Sequence, residues 1–256
     1  MGLLEALLVG IAGLLGGFVN TLAGNGSAFT LPALEVFGLS PEAANGTNRL
    51  SIVALGLVGT VSFYRQGLID WRMGIRVAVP TTLGTIAGSI VAVEISEAVL
   101  DAIVIAGLLV ILGLLLVKPD RWIEGKAGAL APFGWVQAAA YLAIGVYAGL
   151  VVLGVGFFML AALILLTGYD LERGNALKVF LLLVVGAQSL LIFGGSGQVD
   201  WAAGIPLAVG SAIGAYAAAR IATREWAKVW VYRFLIVVVI LAIAHLIIVD
   251  TGKYLV

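Results

Sequence analysis

The stretch Asn20-Thr-Leu-Ala-Gly-Asn-Gly-Ser-Ala-Phe29 (NTLAGNGSAF) interrupts a long apolar run. Two asparagines, a threonine, a serine and two glycines stand where a lipid-buried helix would simply continue. Of the 256 residues, 62% are hydrophobic and only 11% charged, and the mean hydropathy is +1.15. A soluble domain carries about a quarter charged residues, so this chain has too few to hydrate a surface. Its apolar segments are about 20 residues long, enough to cross a bilayer core as helices. Helices satisfy their own backbone hydrogen bonds in lipid. The expected fold is an all-α polytopic membrane protein embedded in the lipid bilayer.

The predicted segments are 3–23, 27–38, 43–65, 73–95 and 98–117, then 132–153, 156–168, 172–194, 202–222 and 229–249. Segments 27–38 and 156–168 are too short for ordinary spans, and each follows a glycine break, Gly24-Asn25-Gly26 or Gly154-Val155-Gly156. The breaks belong to an internal repeat. Gly24, Gly38, Asn45, Gly67, Asp70, Trp71, Gly74 and Gly84 recur as Gly154, Gly168, Asn175, Gly197, Asp200, Trp201, Gly204 and Gly214, always 130 positions later. The chain divides into a first repeat, 1–117, a linker loop, 118–131, and a second repeat, 132–256.

Lys and Arg in short loops orient membrane helices. Arg65, Arg72 and Arg76 surround one loop whose counterpart at 195–204 has no basic residue. Conversely, the loop with Glu94, Glu97 and Asp101 corresponds to one with Arg220, Arg224, Lys228 and Arg233. Equivalent loops are therefore expected on opposite sides of a plasma or inner membrane. The linker, with Lys118, Arg121 and Lys126, would be cytoplasmic and both termini non-cytoplasmic. Inverted repeats with broken helices are a transporter signature, and the breaks mark where substrate binds. Close helix packing alone is the competing reason for such glycines. Met1 to Phe18, apolar but carrying Glu5, reads as the first span rather than a cleaved signal.

Composition also excludes chemistry. There is no cysteine and a single histidine, His245, so neither thiol catalysis nor a histidine metal cluster is expected. No cofactor, metal or catalytic residue is expected, and the reading is not an enzyme. Net charge is zero, so no nucleic-acid partner is implied. No G-x-x-x-x-G-K-[ST] motif occurs, so an ion or substrate gradient would drive transport. A homo-oligomer stays open, because lipid-facing and partner-facing surfaces share one composition.

The motifs GGFVNTLAGNGSAFTLPAL, GLSPEAANGTNRL and RQGLIDW, in that order, resemble the TauE/SafE family of sulfite exporters. GLVVLGVGFFML, GYDLERGNALK and GQVDW are similar to that family's degenerate second half. The chain departs from the pattern at Asn25, where a third glycine is usual, at Arg49, where lysine is commoner, and at Arg173-Gly174-Asn175-Ala176. The resemblance implies export of a small sulfur-containing anion, such as sulfite, sulfoacetate or a related organosulfonate. Alternating access would carry it, one repeat rocking against the other. The alternative is an anion channel, or a uniporter for another small organic anion.

The residues at the breaks suit that cargo. A helix N-terminus offers unpaired N–H groups and about half a positive charge, which makes it an anion site. Half-helices starting near Ser27 and Gly156 would aim two such ends inward. Gly24, Gly26, Gly154 and Gly156 would let the backbone turn and approach an oxyanion. Asn20, Thr21, Asn25 and Ser27 would add neutral donors, with Ser27 or Asn25 capping the helix. Further candidates are Thr47, Asn48 and Arg49, with Asn175, Lys178 and Gln188 in the second half. Intramembrane cations are costly and by default functional, yet Arg49 and Lys178 could instead snorkel to the interface. Gln188 also reads as interhelix glue. Asp70 and Asp200 read as N-caps, Glu35 and His245 as interfacial, and Pro32, Pro80 and Pro206 as helix-shaping.

Overall fold

The computed structural model describes residues 2–95, 130–151 and 153–224, with scattered residues of two further helical stretches at 99–113 and 230–240. The predicted linker lies outside the described residues except for its last two positions, as do His245 and most of spans 98–117 and 229–249. The helices are α1 (Leu3–Ala23), α2 (Ser27–Val36), α3 (Pro41–Arg65) and α4 (Trp71–Ala92). They continue as α5 (Trp135–Leu150), α6 (Val155–Ala162), α7 (Leu171–Gly195) and α8 (Trp201–Ile221). A π-helical turn, Leu163–Thr167, prolongs α6. No strand occurs among the described residues. The protein is an all-α polytopic membrane protein, in which α1, α4, α7 and α8 are long and apolar enough to cross a bilayer. The 25-residue α3 is not among them, since it opens on the polar run Asn45 to Arg49.

Local chemistry explains where the elements start and stop. Asp70 and Asp200 each accept a bond at 3.0 Å from the amide three residues on, Met73 and Ala203, and so cap α4 and α8 as expected. Ser40 caps α3 through Ala43 at 3.3 Å, and Asp170 caps α7 through Arg173 at 2.8 Å. Side-chain caps satisfy amides that have no intrahelical partner. The chain turns at Gly24, Gly38 and Gly67, with φ of 79, 91 and 72°, and again at Gly154, Gly168 and Gly197, with φ of 78, 93 and 78°. Left-handed backbone disfavours any residue with a Cβ. The interval of 130 positions in the sequence is thus an interval between identical backbone turns.

The tightest packing joins the two halves. α1 lies along α8, and α4 along α5. A Cβ on Gly214 would strike Leu14 O and come within 2.7 Å of Phe18 N. One on Gly84 would strike Leu142 O and come within 2.8 Å of Val146 N. Gly17 seats on Ser211 just as Gly145 seats on Thr81. The two seams repeat each other: their α4 and α8 positions are 130 apart, and their α1 and α5 positions 128 apart. The two-residue difference is absorbed after α5, where Val151 is extended (φ −133°, ψ 141°) before the chain reaches Gly154. Contacts advance together along both helices of each seam, so the paired helices run parallel. α3 and α7 run antiparallel, with Gly56 on Leu183, Gly59 on Val179 and Gly46 beside Phe193.

Away from the seams, Ile75, Val79, Leu83 and Ile90 on α4 and Ile205, Val209 and Ile213 on α8 are exposed at helical spacing. These stripes are the surface a bilayer covers. A further tie between the halves lies at a helix end. Tyr169, before α7, donates its hydroxyl to Asp70 Oδ2 at 2.6 Å. Burial pushes the Asp70 carboxyl up, but the bonds from Tyr169 and from the Met73 and Arg72 amides outweigh it and hold it below the usual carboxylate range.

Gly17→Ala is expected to cost about 1–3 kcal/mol through overpacking against α8. Lipid-facing Leu83→Ala should change stability by no more than about 0.5 kcal/mol. Thermal unfolding of the detergent-purified protein reads both. The Asp70 contribution should be complete above the ordinary carboxylate range and fade as pH falls through the lowered native value. In a pH series of melting curves, Tyr169→Phe should flatten that acid-side loss.

Candidate functional site

The first break is a tight reversal. Gly24 N donates to Asn20 O at 2.8 Å, closing α1. Gly26 then presses on the Gly16 carbonyl, and Thr30 Cγ2 occupies the space a side chain at Gly16 would need. α2 therefore folds back along α1. Its N-cap is Gly26, with no side-chain cap bond, which corrects the expectation that Ser27 or Asn25 performs that role. Ser27 Oγ instead accepts from Asn48 Nδ2 on α3 at 3.1 Å. In the second half, Gly154 is the N-cap, and α6 starts at Val155, one residue before the expected Gly156.

The two breaks touch through bare backbone. A Cβ on Gly24 would lie 2.6 Å from Phe157 N, and one on Gly156 would lie 2.8 Å from Gly24 Cα and 3.0 Å from Asn20 Oδ1. This approach requires glycine on both sides, and it sets the first turn of α6 against the turn that joins α1 to α2.

Arg49 and Lys178 are 1% and 0% exposed, so neither snorkels. Lys178 Nζ donates to Asn20 O at 2.8 Å, Thr21 O at 2.9 Å and Asn175 Oδ1 at 2.8 Å. Arg49 donates to Ala148 O at 2.7 Å, Gly149 O at 3.2 Å and Asn45 Oδ1 at 3.4 Å, with its guanidinium 4.9 Å from the Phe193 ring centre. Asn45 Nδ2 adds a bond to Leu150 O at 3.1 Å. Ala148 and Gly149 lie 128 positions after Asn20 and Thr21, the shift already seen between α1 and α5. Each half thus sends one cation, braced by an asparagine of its own helix, to the last turn of the other half's first helix. Those carbonyls lie in the last turn, where the negative end of the helix dipole sits, and Asn20 O accepts from Gly24 N as well as from Lys178, so the charge is compensated there. Sequence alignment does not pair the two cations: Asn48 is the counterpart of Lys178, and Val179 that of Arg49.

The other candidates separate into two groups. Thr47 Oγ1 accepts from Asp200 N at 2.8 Å, and Gln188 Nε2 donates to Thr82 Oγ1 at 3.0 Å, so both tie helices together. Gln188 Oε1 and Arg49 Nε are unpartnered singly, but around the first break several buried polar atoms go unpartnered together among the described residues. They are Asn20 Oδ1, Thr21 Oγ1, both polar atoms of Asn25, Thr30 Oγ1 and Asn48 Oδ1. Each such atom, left without a partner, costs about 1–3 kcal/mol, and native interiors rarely tolerate several together. The second break has nothing comparable, with Val155, Phe157 and Leu160 opposite Asn25, Ser27 and Thr30. Thr30 is the member that sequence reading missed. Its signal was a second hydroxyl one turn from Ser27 in a ten-residue helix. No group of three His, Cys, Asp or Glu converges to hold a metal among the described residues.

Comparison with known proteins agrees on a class. A family model described as sulfite exporter TauE/SafE matches residues 9–246. A Sinorhizobium protein named "Probable membrane transporter protein" is 29% identical over 240 residues, covering 91% of this chain and 88% of its own. One of the same name from Escherichia coli K12 is 27% identical over 235 residues, covering 88% and 85%. A third, from Haemophilus influenzae, is 27% identical over 215 residues, covering 81% of each.

Lys178→Met should lower the unfolding midpoint, with a loss of about 1–3 kcal/mol from carbonyls deprived of their donor. Exposed Arg224→Met should change stability by no more than about 0.5 kcal/mol. Equal, near-zero shifts in differential scanning fluorimetry would mean that Lys178 does not hold the end of α1.

Proposed function

The chain belongs to the TauE/SafE sulfite exporter family, and from that premise we propose that it is a secondary transporter exporting a small sulfur-containing anion by alternating access. That it is a membrane transporter follows from the family and from its relatives. The observation that carries the finer reading is the unpartnered polar cluster at the first break, beside the first turn of α6. The anion would sit against Asn20, Thr21, Asn25, Ser27, Thr30 and Asn48. Lys178, one layer behind, would contribute field rather than contact, since its three N–H groups are spent on Asn20 O, Thr21 O and Asn175. Neutral contacts hold an anion weakly enough to release it.

Parallel seams between α1 and α8 and between α4 and α5, with an antiparallel α3–α7 crossing, support inverted halves. They also change which parts would rock. The glycine seams join helices of different halves, so α1 would move with α8 and α4 with α5, while α3 slides on α7. Rocking of one intact repeat against the other would tear both seams.

The test is calorimetric binding of sulfite, sulfoacetate, thiosulfate, sulfate and chloride to purified protein. A sulfur anion should bind, and Asn25→Leu should abolish binding without changing the unfolding midpoint. Retained affinity in Asn25→Leu would exclude this site. In liposomes, saturable counterflow supports a carrier, whereas single-channel current would establish the channel instead. The cysteine-free chain permits a clean check of the motion. Gly59→Cys with Val179→Cys, where the Cβ separation is 3.8 Å, has disulfide-compatible spacing. Its oxidation should arrest counterflow while leaving binding within twofold.

A further inference from the structure

The free atoms at the first break specify more than negative charge. A fully deprotonated oxyanion only accepts hydrogen bonds. It could satisfy the donors there, Asn25 Nδ2 and the Thr21 and Thr30 hydroxyls. It would also set its lone pairs against Asn20 Oδ1, Asn25 Oδ1 and Asn48 Oδ1, which are acceptors only and equally buried. Rotating an amide exchanges its nitrogen and oxygen: Asn48 turned over would accept from the Ser27 hydroxyl and free its nitrogen, but Asn25, with both atoms free, keeps one donor and one acceptor in either orientation. No ammonium hydrogen of Lys178 is left to reach a ligand, because all three are engaged. A dianion would therefore meet a site with neutral contacts and at least one buried acceptor, on Asn25, set against its lone pairs.

We infer that the ligand held at this break is a monoanion that still carries a hydrogen-bond donor: a hydroxyalkyl or aminoalkyl sulfonate, or a singly protonated sulfur oxyanion. Its anionic end faces Asn25 Nδ2, the threonine hydroxyls and the N-terminal end of α2. Its O–H or N–H donates to the amide oxygens of Asn20, Asn25 and Asn48. A site built to pair with a ligand O–H or N–H rejects an isostere lacking it, because its buried acceptors then stay unpaired. Where the cargo is a protonated oxyanion, the proton crosses on the cargo itself, and no side chain of the protein needs to titrate. This inference rests on the transporter reading above and narrows its substrate class.

The experiment compares 2-hydroxyethanesulfonate with 1-propanesulfonate, in which a methyl replaces the hydroxyl, by calorimetry on the purified full-length protein. The hydroxyl compound should bind at least about tenfold more tightly, the factor that a single unmade buried hydrogen bond produces. Thr30→Val, nearly isosteric, should weaken both sulfonates in parallel. Asn25→Leu, checked by its unfolding midpoint, should abolish binding of both. Sulfite titrated over a pH series should show affinity following the singly protonated species. Equal binding of the two sulfonates, both sensitive to Thr30→Val, would overturn the donor requirement and leave the site standing. Binding that neither substitution alters would overturn the site together with the inference.

Discussion

A helix that ends inside a membrane protein leaves backbone amides and carbonyls without partners, and lipid supplies none. Four helix ends are created by the breaks at Gly24 and Gly154, and the rest of the structure answers that constraint. The carbonyl ends of α1 and α5 are met by Lys178 and Arg49, each from the opposite half and each braced by an asparagine. The amide end of α6 lies against the turn between α1 and α2, and only glycine lets Gly24 and Gly156 approach so closely. A buried cation on a helix C-terminus is well placed, because the end carries about half a negative charge. The two costs, a charge in a dry interior and unsatisfied carbonyls, largely cancel.

The frame that solves this problem is nearly symmetric, while its contents are not. Turn glycines, the aspartate N-caps and the seams recur with shifts of 130 or 128 positions, and the carbonyls that meet the cations are 128 apart, although Arg49 and Lys178 themselves are 129 apart. Around the first break, however, the side chains are Asn, Thr and Ser, whereas the second packs Phe157 and Leu160 into the core at 0% exposure. One half thus provides the polar lining and the other a helix end and an apolar wall.

Small residues hold the halves together because helices in lipid gain little from burying apolar surface against one another. Close backbone approach and van der Waals contact must supply the association. Gly17 on Ser211 and Gly145 on Thr81 place backbone against backbone. Those seams cross between the halves, so the sequence repeat and the packing unit differ.

Composition and periodicity were enough to read the helices, because each span must satisfy its own hydrogen bonds and therefore leaves a local mark. The breaks, the duplication and the caps at Asp70 and Asp200 were legible for the same reason: a left-handed turn asks for glycine, and an N-terminus asks for a short polar side chain. The partners of Arg49 and Lys178 left no such mark. Their carbonyls lie about 100 and 157 positions away in sequence, and the two-residue slip between α1 and α5 displaces them from the alignment. Snorkelling and coordination were equally consistent with the chain read alone. Only the arrival of α1 and α5 from opposite halves decided that these cations close helix ends. The same packing left Asn20, Asn25 and Asn48 with atoms to spare, because contacts distant in the chain are chosen by three-dimensional proximity, which no local pattern encodes.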